Sequence, residues 1–479
     1  MKHTRSIHLA ALAAAFVTAS AWGENSPAQS GSDSALRLLA AVGDGSEKKE
    51  SLEKKQTDAS STAAADSAIT SRPVQIERAQ QASADRRDVV APGTTGNADQ
   101  ILKLATRAVN IIFTVGEAYD SNPRWQPSGL EKGEFVTWAD LHFLLNPDVF
   151  NSGGHGLYYG LDVDSNLFSY SNSDRSPTGG RDQGEVDAKG FVGVRGAKTD
   201  VKFDGNYRLN NGSMFDFLNQ DREAGRAQSN DVDLRLSGVR RFDHSQLNGY
   251  VLWGERNFSS DSGLNDFSQT AADVGWLYSP GYAPKTDVGA GFHVGSYDTQ
   301  RNFQQSFYEP SFRFNYRLSP KTSLWGRVGY TFIDYGSEAS AAEEGFASYA
   351  AGVRWAPSSK TWFDLSGSRD FRPALAYSNQ DYFSNDIQFT YSQLLPAEWS
   401  LRSYISYDSA EYFSTIAAAM ANREDEYWRM GADLSHPLSL FQRLNGQFSL
   451  FYYYNTNDSS LRQATFEQSF TGVKVGVTY

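Results

Sequence analysis

Phe312-Arg313-Phe314-Asn315-Tyr316-Arg317-Leu318 decides the reading of this chain. A period of two sends Phe312, Phe314, Tyr316 and Leu318 to one face of a strand and Arg313, Asn315 and Arg317 to the other. The stretch runs into Leu318-Ser319-Pro320-Lys321, a tight turn, and is preceded by a longer polar link over 297–306. The same texture recurs at Val201–Arg208, Trp428–Leu434 and Leu444–Leu450.

Alternation alone also fits a soluble sandwich. The connections discriminate better. Long polar links occupy 120–134, 169–184, 209–231, 258–269, 297–306, 336–346, 371–383, 409–426 and 455–467. Tight ones fall between them at Asn146-Pro147-Asp148, 196–198, 242–245, 279–281, 318–321, 356–359, 395–397 and His436-Pro437-Leu438. Strict alternation of long and short links is the pattern of a transmembrane antiparallel β-barrel, here all-β with about eighteen strands.

Composition agrees once the period is known. The chain has 479 residues, 14% aromatic, with 41 glycines, and a mean hydropathy of −0.51. A barrel hides its apolar surface in every second residue, so a low average is expected. No apolar run outside the N-terminus is long enough for a spanning helix. The net charge of −12 argues against nucleic-acid binding. With no cysteine, disulfides and thiolate metal sites are excluded. No cofactor is expected.

Three segments follow. Residues 1–23 read as a signal peptide, with Lys2 and Arg5 ahead of an apolar core and small residues at 19–23. Residues 24–100 are rich in Ser, Ala, Asp, Lys and Gln and read as a disordered periplasmic tail. Residues 101–479 form the barrel, with 101–105 read as a turn of helix before the first strand. The last strand places Val473, Val475, Val477 and Tyr479 on one face, and this aromatic ending resembles the C-terminal signal read by the barrel assembly machinery. The expected setting is the outer membrane of a Gram-negative bacterium, among lipid and lipopolysaccharide.

Eighteen strands leave room for an aqueous channel. Lumen cations are expected at Lys189, Arg195, Lys202, Arg208, Arg235, Arg313, Arg317, Arg327, Arg354, Arg402 and Arg429, opposed by aspartates on the same faces. Arg195, Arg317, Arg327, Arg354 and Arg402 fall toward the periplasmic ends of their strands, where they would steer an anionic polymer inward. Pairing of Arg with Asp across strands is the plainer account of the same residues. Phe215 and Phe217, in an unusually apolar link, are candidates for a constriction folded into the pore, or for packing at the rim.

The first strand and its exit, Phe113-Thr114-Val115-Gly116-Glu117-Ala118-Tyr119-Asp120-Ser121-Asn122-Pro123, resemble the opening of the β-barrel porin 2 family. That resemblance implies a pore for exopolysaccharide or capsule export, working with periplasmic export components and a polysaccharide substrate. The chain lacks the helical repeat domain that polymer-binding barrels usually carry. A general or substrate-specific small-solute porin is the alternative. Catalysis is not expected: Asp140 and His142 share a face and His293 points inward, but no Gly-x-Ser-x-Gly or His-Glu-x-x-His motif is present.

Overall fold

The computed structural model describes residues 109–478, apart from 128–129, 146–155, 172–181, 212–226, 260–263, 284, 300–304, 336–344, 376–379, 415–422 and 442–443. The segments read as signal peptide and tail, the turn of helix at 101–105, and Tyr479 lie outside the described residues.

Eighteen strands form one sheet: β1 (Val109–Asp120), β2 (Glu134–Leu145), β3 (Gly156–Tyr170), β4 (Asp182–Arg195), β5 (Thr199–Asn211), β6 (Gln228–Arg241), β7 (Ser245–Phe258), β8 (Phe267–Tyr278), β9 (Thr286–Thr299), β10 (Gln305–Ser319), β11 (Thr322–Asp334), β12 (Gly345–Ser358), β13 (Thr361–Pro373), β14 (Gln380–Leu394), β15 (Ser400–Ser414), β16 (Glu424–Phe441), β17 (Leu444–Ser459) and β18 (Phe466–Thr478). Each pairs antiparallel with its sequence neighbours, and β1 pairs with β18. The sheet is therefore a closed barrel without a free edge, the only form in which strands satisfy their backbone groups inside lipid.

The period-two pattern sorts the two faces as the sequence predicts. Phe113, Leu141, Leu157, Val194, Phe312, Val328, Leu365 and Ile387 are exposed on the outside. Inward neighbours such as Asp204, Asp273, Arg313 and Arg327 are buried. An outer surface this apolar belongs in a bilayer. Aromatic pairs mark both edges of the belt: Trp276 stacked on Tyr278 and Trp355 on Phe363 at the short-turn end, Tyr119 edge-on to Phe135 and Tyr407 tilted against Trp428 at the long-loop end.

One expected turn is corrected. His436-Pro437-Leu438 is not a turn but part of β16, where His436 opposes Phe448 and Pro437 opposes Gln447. Strand β15 stops pairing at Ser435, so proline there removes no ladder bond on that side. The expected turn at Asn146-Pro147-Asp148 lies outside the described residues. Elsewhere strands run further into the long loops than the apolar alternation predicts. At the rim, Asn455 and Asn457 continue β17 through backbone pairing, which needs no lipid-facing residue.

The seam between first and last strands is latched at the long-loop end. Asp120 Oδ1 accepts hydrogen bonds from the Asn122 amide at 3.1 Å and from Gln468 Nε2 at 2.6 Å. Asn122 Nδ2 donates to the Glu467 carbonyl at 2.9 Å, and Trp125 Nε1 donates to Gln468 Oε1 at 2.7 Å. Trp125 adopts a left-handed φ of 50° to stack on Phe466 with centroids 4.3 Å apart. The Asp-Ser-Asn group that carries the family resemblance is thus a closure device, with Asp120, Asn122 and Gln468 almost fully buried.

Candidate functional site

The inner face is built from direct cross-strand opposition. His142, Asp164, Asp187, Arg208, Asp231 and Arg256 oppose one another in turn across β2 to β7, a row of interleaved charge. Arg208 Nη2 lies 3.2 Å from Asp187 Oδ2, Lys189 Nζ lies 2.6 Å from the same oxygen, and Arg256 Nε is 3.2 Å from Asp231. His142 Nε2 lies 2.6 Å from Asp162.

Across the lumen, small residues let arginines lie flat. Gly275, Gly291, Ser311, Gly329 and Ser348 oppose one another across β8 to β12. Arg313 lies over Gly291 and Gly275, where any Cβ would overlap its guanidinium. It forms a bidentate pair with Asp273 at 3.0 and 2.5 Å. Arg327 bridges Glu309 at 3.1 Å and Asp370 at 3.3 Å.

The long-loop mouth is partly crossed by the chain itself. The backbone amide of Asn265, between β7 and β8, donates to the Leu375 carbonyl, beyond β13, at 2.9 Å. The wall between β8 and β13 measures roughly 24 Å at five strand spacings. Backbone contact over that arc requires Asn265 and Leu375 between them to stand inward of the wall, over the opening. Side chains repeat the crossing: Gln305 Nε2 donates to both Asp381 oxygens at 2.9 and 2.8 Å, and Tyr297 meets Phe371 at 6.1 Å. Phe383 stacks on Phe413 at 4.8 Å beside Phe346, which closes an apolar cluster with Ile333 and Tyr335.

The sequence-predicted residues fall into four groups. Arg313, Arg327, Lys202 and Arg429 are held against the wall: Lys202 by Asp204 at 2.9 Å, Arg429 by Ser406 at 2.9 Å and over the Tyr427 ring. Arg327 sits mid-strand in β11 rather than at the short-turn end. Arg195 and Arg354 lie at that end, paired with Asp200 at 2.9 Å and Asp364 at 2.7 Å but half-exposed. Arg317 and Arg402 lie there too, with no ion pair among the described residues. Phe215 and Phe217 lie outside the described residues. Val473, Val475 and Val477 face outward on β18, opposite Glu117, Val115 and Phe113.

Sequence reading missed the crossing tip. Gln305 and Asp381 are 76 positions apart and sit in links read only as polar. No periodicity marks such a contact. Glu117 was missed for a different reason: it continues the outward series Phe113, Val115, Tyr119, and its parity alone places a carboxylate on the lipid face.

No family model matches the chain, and no curated protein matches it. Solved structures are similar to it over most of its length. They include OccAB3 of Acinetobacter baumannii (12% identity, TM-score 0.40, covering 78% of this chain and 98% of that one). OccAB4 of the same organism matches at 10% identity and TM-score 0.43, covering 78% and 98%. The outer membrane protein OpdK of Pseudomonas aeruginosa matches at 12% and 0.38, covering 78% and 99%. Likenesses at this level assign neither family nor substrate.

Proposed function

We propose that this chain is an outer-membrane channel that passes small hydrophilic solutes through a lumen narrowed at its extracellular mouth. The observation that carries the reading is the backbone bond between Asn265 and Leu375, which ties together segments whose strands lie five apart in the wall. A wide diffusion pore gains nothing from such a strap. The interleaved charges below it suit a polar solute that exchanges hydration for wall contacts step by step.

Single-channel recording in planar bilayers tests this. The wild type is expected to show low unit conductance, and removal of 374–379 is expected to raise it severalfold while the barrel stays folded. Equal conductance in the two proteins, at the level of an open bore, would refute the reading.

One observation favours a second reading, export of an anionic polymer. Arg317 and Arg402 are unpaired among the described residues at the short-turn end, beside half-exposed Arg195 and Arg354. Deletion of the gene with measurement of surface and retained polysaccharide separates the two: loss of surface polymer with unchanged solute uptake supports export.

A further inference from the structure

The lipid face carries a feature that passage through the lumen does not use. A groove of about 720 Å³ opens on the outside of the barrel at the seam. It is lined by Tyr119 and Phe135 on one side and by Leu450 and Tyr452 on the other, with the small residues Thr471 and Gly472 of β18 between them. Glu117 projects from β1 into this groove, exposed and opposite Val473 and Thr137.

The outward belt of β1 runs from Ile111 to Tyr119, roughly 20 Å along the membrane normal at a strand tilt of ~40°. Glu117 lies inside it, about 5 Å below the Tyr119 girdle on the same rise and tilt. On β1–β3 and β16–β18, the outward residues between the girdles include no other carboxylate, lysine or arginine among the described residues, and outward His436 packs against Trp399 at 4.8 Å. Arg369, which shares the outward parity on β13, is covered by the Phe383 ring at 5.3 Å. Glu117 has neither hydrogen bond nor ion pair among the described residues. A carboxylate facing lipid is costly and is retained where something compensates it.

We propose that the seam groove binds an amphiphile with a cationic, amine-bearing head on an apolar chain, with Glu117 as the counter-ion. The groove is bounded by the lipid belt, so its occupant must be apolar along its length, and the lone carboxylate near the upper girdle demands a positive head at interface depth. A lipid phosphate head is excluded by like charge.

Native mass spectrometry of the full barrel in a nonionic detergent tests this with dodecylamine and dodecanol as probes. Dodecylamine is expected to be retained about tenfold more than dodecanol, as a charge-assisted contact predicts. Glu117→Gln is expected to abolish that preference, and Thr471→Leu, which fills the floor, to reduce binding of both. Equal retention in the wild type, or a preference that survives Glu117→Gln, overturns the proposal. So does a Glu117-dependent association of two barrels without any amine preference, which would make the groove a protein interface.

Discussion

Gly291→Val is the substitution that best tests how the wall holds its charges. A Cβ at position 291 overlaps Arg313 Cζ and Nε, and one at 275 would come within 2.7 Å of Nη1. The backbone of β9 is fixed by pairing on both sides, so the flexible arginine must yield. It leaves Asp273, which is 5% exposed and now unpaired. Breaking a buried pair costs about 3–5 kcal/mol when the remaining charge stays dry. Water reaches the lumen, so the desolvation cost of one orphaned group, about 1–3 kcal/mol, is the better guide. The gain from a β-branched residue in a strand offsets less than about 1 kcal/mol of this. The variant should fold, with a modestly lower melting temperature. Its signature is electrical, because the guanidinium now stands in the solute path while its partner stays at the wall. A unit charge brought to ~10 Å from a passing ion in water contributes about 0.4 kcal/mol, close to a twofold change in relative permeability. Reversal potentials in asymmetric KCl should shift toward chloride by that factor. Gly205→Val, whose Cβ meets Leu234 at an ordinary 3.5 Å, is the control and should change neither property. An unaltered permeability ratio in a folded Gly291→Val barrel refutes the claim that glycines hold Arg313 against the wall.

Loosening the seam latch should weaken the whole barrel. Asp120→Ala strands the Gln468 amide and the Asn122 N–H in a buried site, at a cost of about 1–3 kcal/mol, and should lower the temperature at which the barrel unfolds in detergent-gel heat-shift assays. An unchanged transition would show the latch to be ornamental to stability. At the short-turn end, Lys198 bonds Asp243 at 2.9 Å and holds its carboxyl below the usual range. Any stability from that depressed value is present above the unfolded pKa and lost as pH falls through the folded one. Both groups are exposed and screened, so Asp243→Asn should leave the melting temperature unchanged at neutral pH. A measurable drop there would show that this turn pair contributes more than exposed pairs do.

The fold was legible in the chain because its determinants are local. Phe312-Arg313-Phe314-Asn315-Tyr316-Arg317-Leu318 alternates with the pleat, Lys198 and Ser319-Pro320-Lys321 punctuate it, and lipid on one face enforces the sorting. These suffice for strand number, facing and closure order. Where a local signal misleads, as at Pro437, the outcome depended on how far a neighbouring strand extends. The lumen was legible by parity alone: Arg313 and Asp273 could be assigned inward, but not to each other, since they lie 40 positions apart on strands separated by β9. The tertiary structure alone decided which arginines are tied to the wall, that Asp120 locks the seam to Gln468, 348 positions away, and that Leu375 meets Asn265 over the mouth. The reason is physical: pairing registers and turn chemistry act between residues close in sequence, whereas ring closure brings together groups that no sequence period relates.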